Sequence, residues 1–324
     1  IVPNLRRLTL NEENIMLLSD AHFPEDLLCK LAFLGLSFDN DDIKKDTLPF
    51  DFLHKVPSLE HLLVGSCYGL KEIFPSQKLQ VHDLSLHGLK QLTLYDLGQL
   101  ESIGLEHPWV KPYSENLQIL YLGWCPQLEK LVSCTCAVSF NNLKELRVKN
   151  CKKMEYLFKY STAKSLLQLK TLSIGICESM KEIVKKEDED EDASNEIIFG
   201  RLTKLILYAL PRLVRFCSGN ATLHFTCLEL AGIAGCPNME TFSEGIIDAP
   251  IFLGIIQTSK EDTDLISQDD DLNTTIETLF HQQVRNSLSK FNCYLFISKH
   301  RVTLINQCLN NIDKKIMLKY VCNS

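Results

Sequence analysis

One leucine pattern repeats nine times along the chain and constrains its fold more than any other feature. Each copy starts at a leucine and follows Leu-x-x-Leu-x-Leu-x-x-Cys or a similar apolar version, as in Leu117–Cys125 and Leu169–Cys177. The copies start at Leu5, Leu31, Leu59, Leu89, Leu117, Leu143, Leu169, Leu202 and Leu228, at intervals of 26 to 33 residues. A period in this range indicates a solenoid in which each copy forms one turn.

The spacing inside each copy predicts a short strand. Counted from the first leucine, positions +3 and +5, such as Leu92 and Leu94, lie on one face of a strand because side chains alternate. One copy cannot bury this face alone, whereas stacked copies share a continuous core. We therefore predict an α/β leucine-rich-repeat solenoid with a parallel concave sheet and short helical or irregular convex segments.

Later positions of each copy are also apolar. Positions +11 and +14 are apolar in all seven copies from Leu59 onward. Position +8 is a cysteine in five copies, namely Cys67, Cys125, Cys151, Cys177 and Cys236. Because a thiol packs as a small apolar group, position +8 is predicted to point inward.

The pattern divides the chain into a solenoid over residues 1–245 and a non-repeat tail over 246–324. Val2–Leu8 parallels Val56–Leu62, so we expect the chain to open inside a repeat whose front part is missing. The acidic run Glu187–Asp192 accounts for the longest interval and is expected to form a mobile loop.

Composition excludes several classes of function. The net charge of -7 argues against nucleic acid as the main partner, and no segment has the roughly 18 apolar residues of a membrane helix. Cysteines that recur at one core position favour free thiols over disulfides, and Cys134 and Cys136 lack a second pair at zinc-ligand spacing. Without a phosphate loop or a catalytic motif, we expect no catalytic residue, metal or cofactor, and no enzymatic activity.

The strand positions that face away from the core are the candidate partner site. Positions +2, +4, +6 and +7 are expected to be exposed on the concave face, and replacing +4 residues is expected to remove little core packing. Aromatic residues and arginine dominate binding energy at interfaces, although tyrosine is also common in ordinary strands. The predicted partner-binding residues are Tyr95, Asp96, Tyr121, Trp124, Glu145, Arg147, Lys149 and Tyr208.

The step that follows each strand carries a resemblance to a known family. Cys67–Ile73 and Cys177–Ile183 follow C-x-x-[LM]-x-x-[IL], and the last copy ends at Gly235–Gly245. These segments, with Asp271–Ile276 after them, resemble the leucine-rich-repeat region of plant disease resistance proteins of the coiled-coil, nucleotide-binding class. The resemblance covers roughly residues 1–285.

The resemblance implies a cytoplasmic immune receptor in which the repeats sense a pathogen effector, or a host protein that the effector modifies, and restrain a nucleotide switch. It implies two partners, the sensed protein and the nucleotide-binding domain of the same receptor. That domain and the coiled coil are absent from this sequence, so only recognition and autoinhibition carry over. The alternative is an F-box-type ubiquitin-ligase substrate adaptor, whose cysteine-bearing repeats usually continue with Thr-Asp. An extracellular plant receptor would instead show N-x-L-x-G-x-I-P.

Overall fold

The computed structural model describes residues 5–11, 14, 28–38, 48, 53, 56–75, 86–132, 138–187, 196–258, 263–266, 272–277 and 280, with the backbone alone at 256–258 and 263–266. Within these ranges the chain forms one long sheet, two small sheets and three short helices. The candidate zinc ligands Cys134 and Cys136, most of the acidic run, and residues 286–324 lie outside the described residues.

The long sheet has eleven strands, one from each successive turn and one that returns along its last edge. The order is β1-β2-β3-β4-β5-β6-β8-β11-β14-β16-β17, with parallel pairing from β1 to β16 and antiparallel pairing between β16 and β17. Its strands are β1 Arg7–Leu10, β2 Phe33–Ser37, β3 His61–Gly65, β4 Gln91–Tyr95, β5 Ile119–Gly123, β6 Glu145–Lys149, β8 Thr171–Gly175, β11 Lys204–Tyr208, β14 Leu230–Ala234, β16 Gly254–Thr258 and β17 Thr263–Ile266.

The register of the long sheet stacks equivalent positions of the repeat. Leu92 pairs with Leu120, which pairs with Leu146, and the series continues through Leu172 and Leu205. These leucines are at most 1% exposed. The predicted solenoid and its core positions are therefore confirmed, and the +11 and +14 side chains from Leu70 to Phe242 are likewise buried.

Every turn from the third to the ninth bends at position +7. The residues there have φ between 50° and 60° and are Ser66, Asp96, Trp124, Asn150, Ile176, Ala209 and Gly235. The amides of the first six of these residues donate to a +6 carbonyl of the next turn, as from Trp124 to Lys149 and from Asn150 to Gly175. The left-handed conformation thus turns the chain while the sheet hydrogen bonding continues for one more residue.

The turn after the bend explains the C-x-x-[LM] motif at positions +8 to +11. The carbonyl of position +8 accepts a hydrogen bond from the amide of position +11, as between Cys151 and Met154 at 3.3 Å. The thiol of +8 donates back to the +6 carbonyl, at 3.5 Å in Cys125 and 3.3 Å in Cys177. Both ends of this β-turn are buried, so C-x-x-[LM] combines a tight turn with two core side chains.

The returning segments form two small parallel sheets. One contains β7 Phe158–Lys159, β9 Glu182–Lys185 and β12 Arg215–Cys217, and the other contains β10 Glu196–Ile198, β13 Thr222–His224 and β15 Ile247–Asp248. The helices are α1 Lys111–Asn116, α2 Tyr160–Ala163 and α3 at 272–277. The predicted short helical segments are therefore present, whereas the two small sheets were not predicted, because the return segments were expected to be helical or irregular.

The sheet continues beyond residue 245, where the leucine pattern ends. Ile255 of β16 pairs in register with Ala231 and is fully buried. After β17, helix α3 buries Leu272 and Ile276 against the core. The Oδ1 atom of Asn273 accepts hydrogen bonds from the amides of Phe242 and Ser243 at 3.0 and 2.9 Å, so α3 is fixed to the last leucine-rich turn.

Candidate functional site: the concave face

The concave face consists of the side chains at +2, +4 and +6 on the long sheet, opposite to the core leucines. Pairing between β5 and β6 places Tyr121 beside Arg147 at +4 and Gly123 beside Lys149 at +6. Tyr95 lies beside Gly123 on the next strand. The sequence-predicted neighbours Tyr121, Arg147, Tyr95 and Lys149 therefore lie on three adjacent strands.

Three predicted residues form one contact group, here called the aromatic cluster: Tyr95, Trp124 and Lys149. The rings of Tyr95 and Trp124 are 5.0 Å apart between centroids and inclined at 61°. The Nζ atom of Lys149 lies 4.6 Å from the centroid of the Trp124 ring. Edge-to-face rings and a cation over an indole are both favourable, and all three side chains remain partly exposed.

The backbone of Trp124 differs from what a large side chain prefers. Its φ is 53°, a conformation that costs a residue with a Cβ roughly 1–2 kcal/mol. The same conformation occurs at +7 in every turn from the third to the ninth, so the bend belongs to the repeat and Trp124 is the largest side chain placed on it. Here the amide of Trp124 donates to the carbonyl of Lys149 at 2.9 Å, which holds the bend.

Asp96 lies next to the aromatic cluster, at the +7 bend of the preceding turn, where φ is 54°. Its Oδ2 atom accepts a hydrogen bond of 3.4 Å from the hydroxyl of Tyr68. Tyr68 is 50% exposed, and sequence analysis did not select it because it lies at +9, after the strand. The signal that could have found it is an exposed aromatic residue directly after a +8 cysteine.

Glu145 and Arg147 pair with each other on β6. Their side chains form an ion pair between the Arg147 Nε and the Glu145 Oε1 atoms, with 22% and 30% of the side chains exposed. Positions i and i+2 of a strand lie on the same face, so the pair is local to one strand. The Arg147 side chain is thereby paired within its own strand, next to Tyr121 on β5.

The expected exposure of Tyr121 is wrong. This side chain is only 7% exposed, although it lies outside the main core cluster. Its ring covers Gly123, where an added Cβ would lie 2.9 to 3.1 Å from the outer ring atoms and the hydroxyl. Other +4 residues are similarly covered, with Thr93 at 4% and Ser173 at 9% exposed. The small neighbour at 123 lets the tyrosine fold down onto the sheet.

Tyr208 lies apart from the aromatic cluster, on β11. Strand β8 separates β11 from the strand that carries Lys149. The Tyr208 ring occupies the space above Gly175, where an added Cβ would lie 2.0 Å from a ring atom. The structure thus brings Tyr95, Trp124 and Lys149 into contact but leaves Tyr208 as a separate aromatic position on the same face.

A second group of contacting side chains, not predicted from the sequence, lies in the +2 row of the first turns. The Cζ atom of Arg7 lies 3.9 Å from the centroid of the Phe33 ring, and that ring is 4.7 Å from the ring of His61. His61 Nε2 lies 3.1 Å from Thr93 Oγ1. An aromatic or cationic residue at +2 in successive copies was the available signal.

The raised pKa values of the buried cysteines indicate that these thiols pack in the core and do not act as nucleophiles or metal ligands. Burial raises the pKa of the Cys236 thiol to about 12, and burial likewise raises the pKa of Cys217 to about 12. Contact with the Cys125 thiol raises the pKa of Cys151. Nucleophilic and metal-binding cysteines need the thiolate, which these environments disfavour. In the described ranges no group of histidine, cysteine or acidic residues could hold a metal ion, and no helix is long and apolar enough to cross a membrane.

Comparison with known proteins identifies one family model that matches most of the chain. The model describes the leucine-rich repeats of plant disease resistance protein RPS2-like sequences and matches residues 4–152 and 138–244. The two matches together include the whole concave face from β1 to β14. No curated protein matches the chain.

Proposed function

Since the chain belongs to the RPS2-like leucine-rich-repeat family of plant disease resistance proteins, we propose that its concave face recognises a pathogen effector or a host protein that the effector has modified. The aromatic cluster carries this proposal. Tryptophan, tyrosine and arginine are enriched among residues that dominate interface energy, and the rings of Tyr95 and Trp124 contact each other while both stay partly exposed.

The module acts by binding, without catalysis or a cofactor of its own. Tyr95, Trp124 and Lys149 offer partly exposed aromatic faces and a cation, while Glu145 and Arg147 offer a fixed ion pair. The second partner in this proposal is the nucleotide-binding domain of the same receptor, which the repeats restrain until recognition. The family match favours this function over that of an F-box-type adaptor.

A cytoplasmic location fits this function. The eight described cysteines are free thiols, and five of them occupy the buried +8 position, as suits a reducing compartment. Asn273-Thr274-Thr275 matches the tripeptide recognised for N-glycosylation, but the side-chain amide of Asn273 donates a hydrogen bond to the Ser243 carbonyl at 2.9 Å. A glycan on this nitrogen would disrupt the contact between α3 and the last leucine-rich turn.

The proposal is tested in a full-length receptor expressed in leaf cells with the pathogen protein to which it responds. The concave variant carries Tyr95→Ala and Trp124→Ala. The matched control carries Leu167→Ala and Ile198→Ala, two side chains that are 48% and 43% exposed outside the concave rows. We expect the concave variant to accumulate normally and lose effector-triggered cell death, while the control keeps it. Equal responses from both variants would contradict concave recognition.

A further inference from the structure

Exposed apolar side chains are concentrated on the turn that follows the ninth leucine copy. Six large apolar side chains among the described residues are exposed, and three of them lie within residues 246–253. Ile246 is 70% exposed, Leu253 54% and Ile251 44%. Exposed apolar side chains that are grouped rather than scattered mark a surface that contacts another segment or protein.

The equivalent positions of earlier turns are polar. Leu253 is at +1 of its turn, level with Glu229, to whose carbonyl its amide donates at 2.7 Å. Ile246 directly precedes β15, level with Thr222 of β13 and Glu196 of β10. The last turn therefore has apolar side chains in two rows that are polar elsewhere. Position +1 of the third to ninth turns is Glu60, Lys90, Gln118, Lys144, Lys170, Thr203 and Glu229.

The small sheet next to these residues ends on the same turn. Strand β15 is the last strand of the order β10-β13-β15 among the described residues, whereas the long sheet continues past β14 to β16 and β17. Each turn of a solenoid is covered by its neighbours, so the terminal turn needs a cap. The exposed Ile246 lies directly before this edge strand.

The end of the solenoid is strongly acidic. Residues 240–271 contain nine acids and one lysine. Two of these acids have partners, because Glu244 pairs with Arg215 and Asp248 with His224. The remaining acids still exceed the cations of this segment by a wide margin. A segment that covers the last turn is therefore favoured by a positive charge.

The end of the sequence has the opposite charge. Residues 286–324, which lie outside the described residues, contain six lysines and arginines and one acid. Their net charge is +5, so the other 285 residues carry -12. The same segment supplies apolar side chains, among them Phe291, Tyr294, Leu295, Phe296 and Ile297. It thus combines the two properties that the last turn requires of a cap.

From this arrangement we infer that residues 286–324 fold back on the last turn and cover Ile246, Ile251 and Leu253 as a C-terminal cap. The apolar side chains of the segment pack on these three residues, and its cations face the acids of the last turn. This inference does not depend on the recognition proposed for the concave face.

The path of the chain allows this contact. Asn273 of α3 accepts a hydrogen bond from the amide of Ser243, three residues before Ile246. Helix α3 ends at 277, and the eight residues 278–285 span about 26 Å when extended. The segment therefore begins within reach of the surface that it covers.

A cross-link within the chain tests the cap. A photoreactive phenylalanine derivative replaces Leu253 in the full chain, and in the control it replaces Leu167, which is 48% exposed on another turn. Chains of ordinary and heavy isotope composition are mixed before irradiation, so the mass of a linked peptide shows whether one chain or two supplied it. We expect position 253 to link to residues 286–324 of the same chain, and position 167 to give no such link.

Other results of this experiment would overturn the cap. Links from position 253 only between ordinary and heavy chains would assign the surface to a second copy of the chain. Absence of a link from position 253 to residues 286–324, or an equal yield from position 167, would show that this segment does not cover the last turn.

Stability provides an independent measurement. Leu253→Gln introduces the residue that the fifth turn has at +1, Gln118. Because the cap buries Leu253, this substitution should lower the urea midpoint of the full chain. The matched control Leu167→Gln changes a leucine of similar exposure and should leave the midpoint unchanged. Equal shifts in the two variants, or no shift in either, would contradict the cap.

Discussion

The ammonium of Lys149, on β6, lies 4.6 Å from the centroid of the Trp124 ring, which follows the neighbouring strand β5. Lys149 is at +6 of its turn and Trp124 at +7 of the turn before it. Trp124 follows β5 at a left-handed bend, and β5 lies between the strands that carry Tyr95 and Lys149. The Tyr95 ring lies 5.0 Å from the indole on the other side.

Tyr121 is predicted to support the sheet more than the partner contact. Because its ring is 7% exposed and covers Gly123, Tyr121→Ala should lower the free energy of unfolding by about 2–4 kcal/mol. Tyr121→Phe should lower it much less. Urea unfolding of the full chain measures both changes, and a loss below about 1 kcal/mol for the alanine variant would restore the exposed position expected from the sequence.

Substitutions at the +7 bend should follow backbone conformation. Ile176 is β-branched and has φ of 56°, whereas Asn150, at φ 57°, is a residue type that tolerates this region. We expect Ile176→Asn to raise the free energy of unfolding and Asn150→Ile to lower it, each by about 1 kcal/mol. Thermal melting of the two variants measures the direction of both changes. The reverse order of the two melts would show that side-chain packing outweighs the backbone at this position.

The contact between α3 and the last leucine-rich turn should contribute to stability. Asn273 makes hydrogen bonds with the backbone of Phe242 and Ser243. Asn273→Ala leaves those backbone groups without the amide and should cost about 1–3 kcal/mol. Asn273→Asp keeps the accepting oxygen and should cost less. Loss of equal stability in both variants would mean that the donor N–H, rather than the acceptor, fixes α3.

Alkaline pH should destabilise the fold through its buried thiols. Burial raises the pKa of Cys236 from 9.0 to about 12, so the folded state keeps a proton that the unfolded chain releases. The contribution of the protonated Cys236 thiol to the free energy of unfolding is fully present below pH 9 and is lost as pH rises toward 12. The expected slope is about 1.4 kcal/mol per pH unit for each such thiol.

Urea unfolding at neutral pH and above pH 9 measures this slope for the full chain and for Cys236→Ala. The alanine variant should be less stable at neutral pH and lose stability less steeply above pH 9. Cys227→Ala is the matched control because that cysteine is only partly buried. An unchanged alkaline slope in the Cys236 variant would show that its thiol is not protected.

The core could be predicted from the sequence because it depends on alternation within each strand. Leu92 and Leu94 are fully buried as their spacing requires. Strand β16 could not be predicted, since Gln257 stands where the +5 leucine would be and interrupts the pattern. Its pairing comes from the preceding strand, which positions Ile255 over Ala231.

The sequence predicted which side chains of the site are neighbours, but not which of them are exposed. Rows +4 and +6 are set by alternation, so Tyr95, Tyr121, Arg147 and Lys149 were correctly placed as neighbours. The burial of Tyr121 depends on a glycine two residues later on the same strand. Alternation along the strand gives the face on which Tyr121 lies but not the size of this neighbour. The bend at Trp124 could be inferred only from its equivalents Asp96, Asn150 and Gly235, residue types that tolerate a left-handed backbone.

Cross-linking from the concave face shows whether this face contacts the recognised protein. A photoreactive phenylalanine derivative replaces Tyr95 or Tyr208 in the full-length receptor, and in a control it replaces Leu167, which is 48% exposed outside the concave rows. We expect one adduct of the same mass from positions 95 and 208, formed only when the pathogen protein is present, and none from position 167. An adduct from position 167 alone would contradict recognition by the concave face.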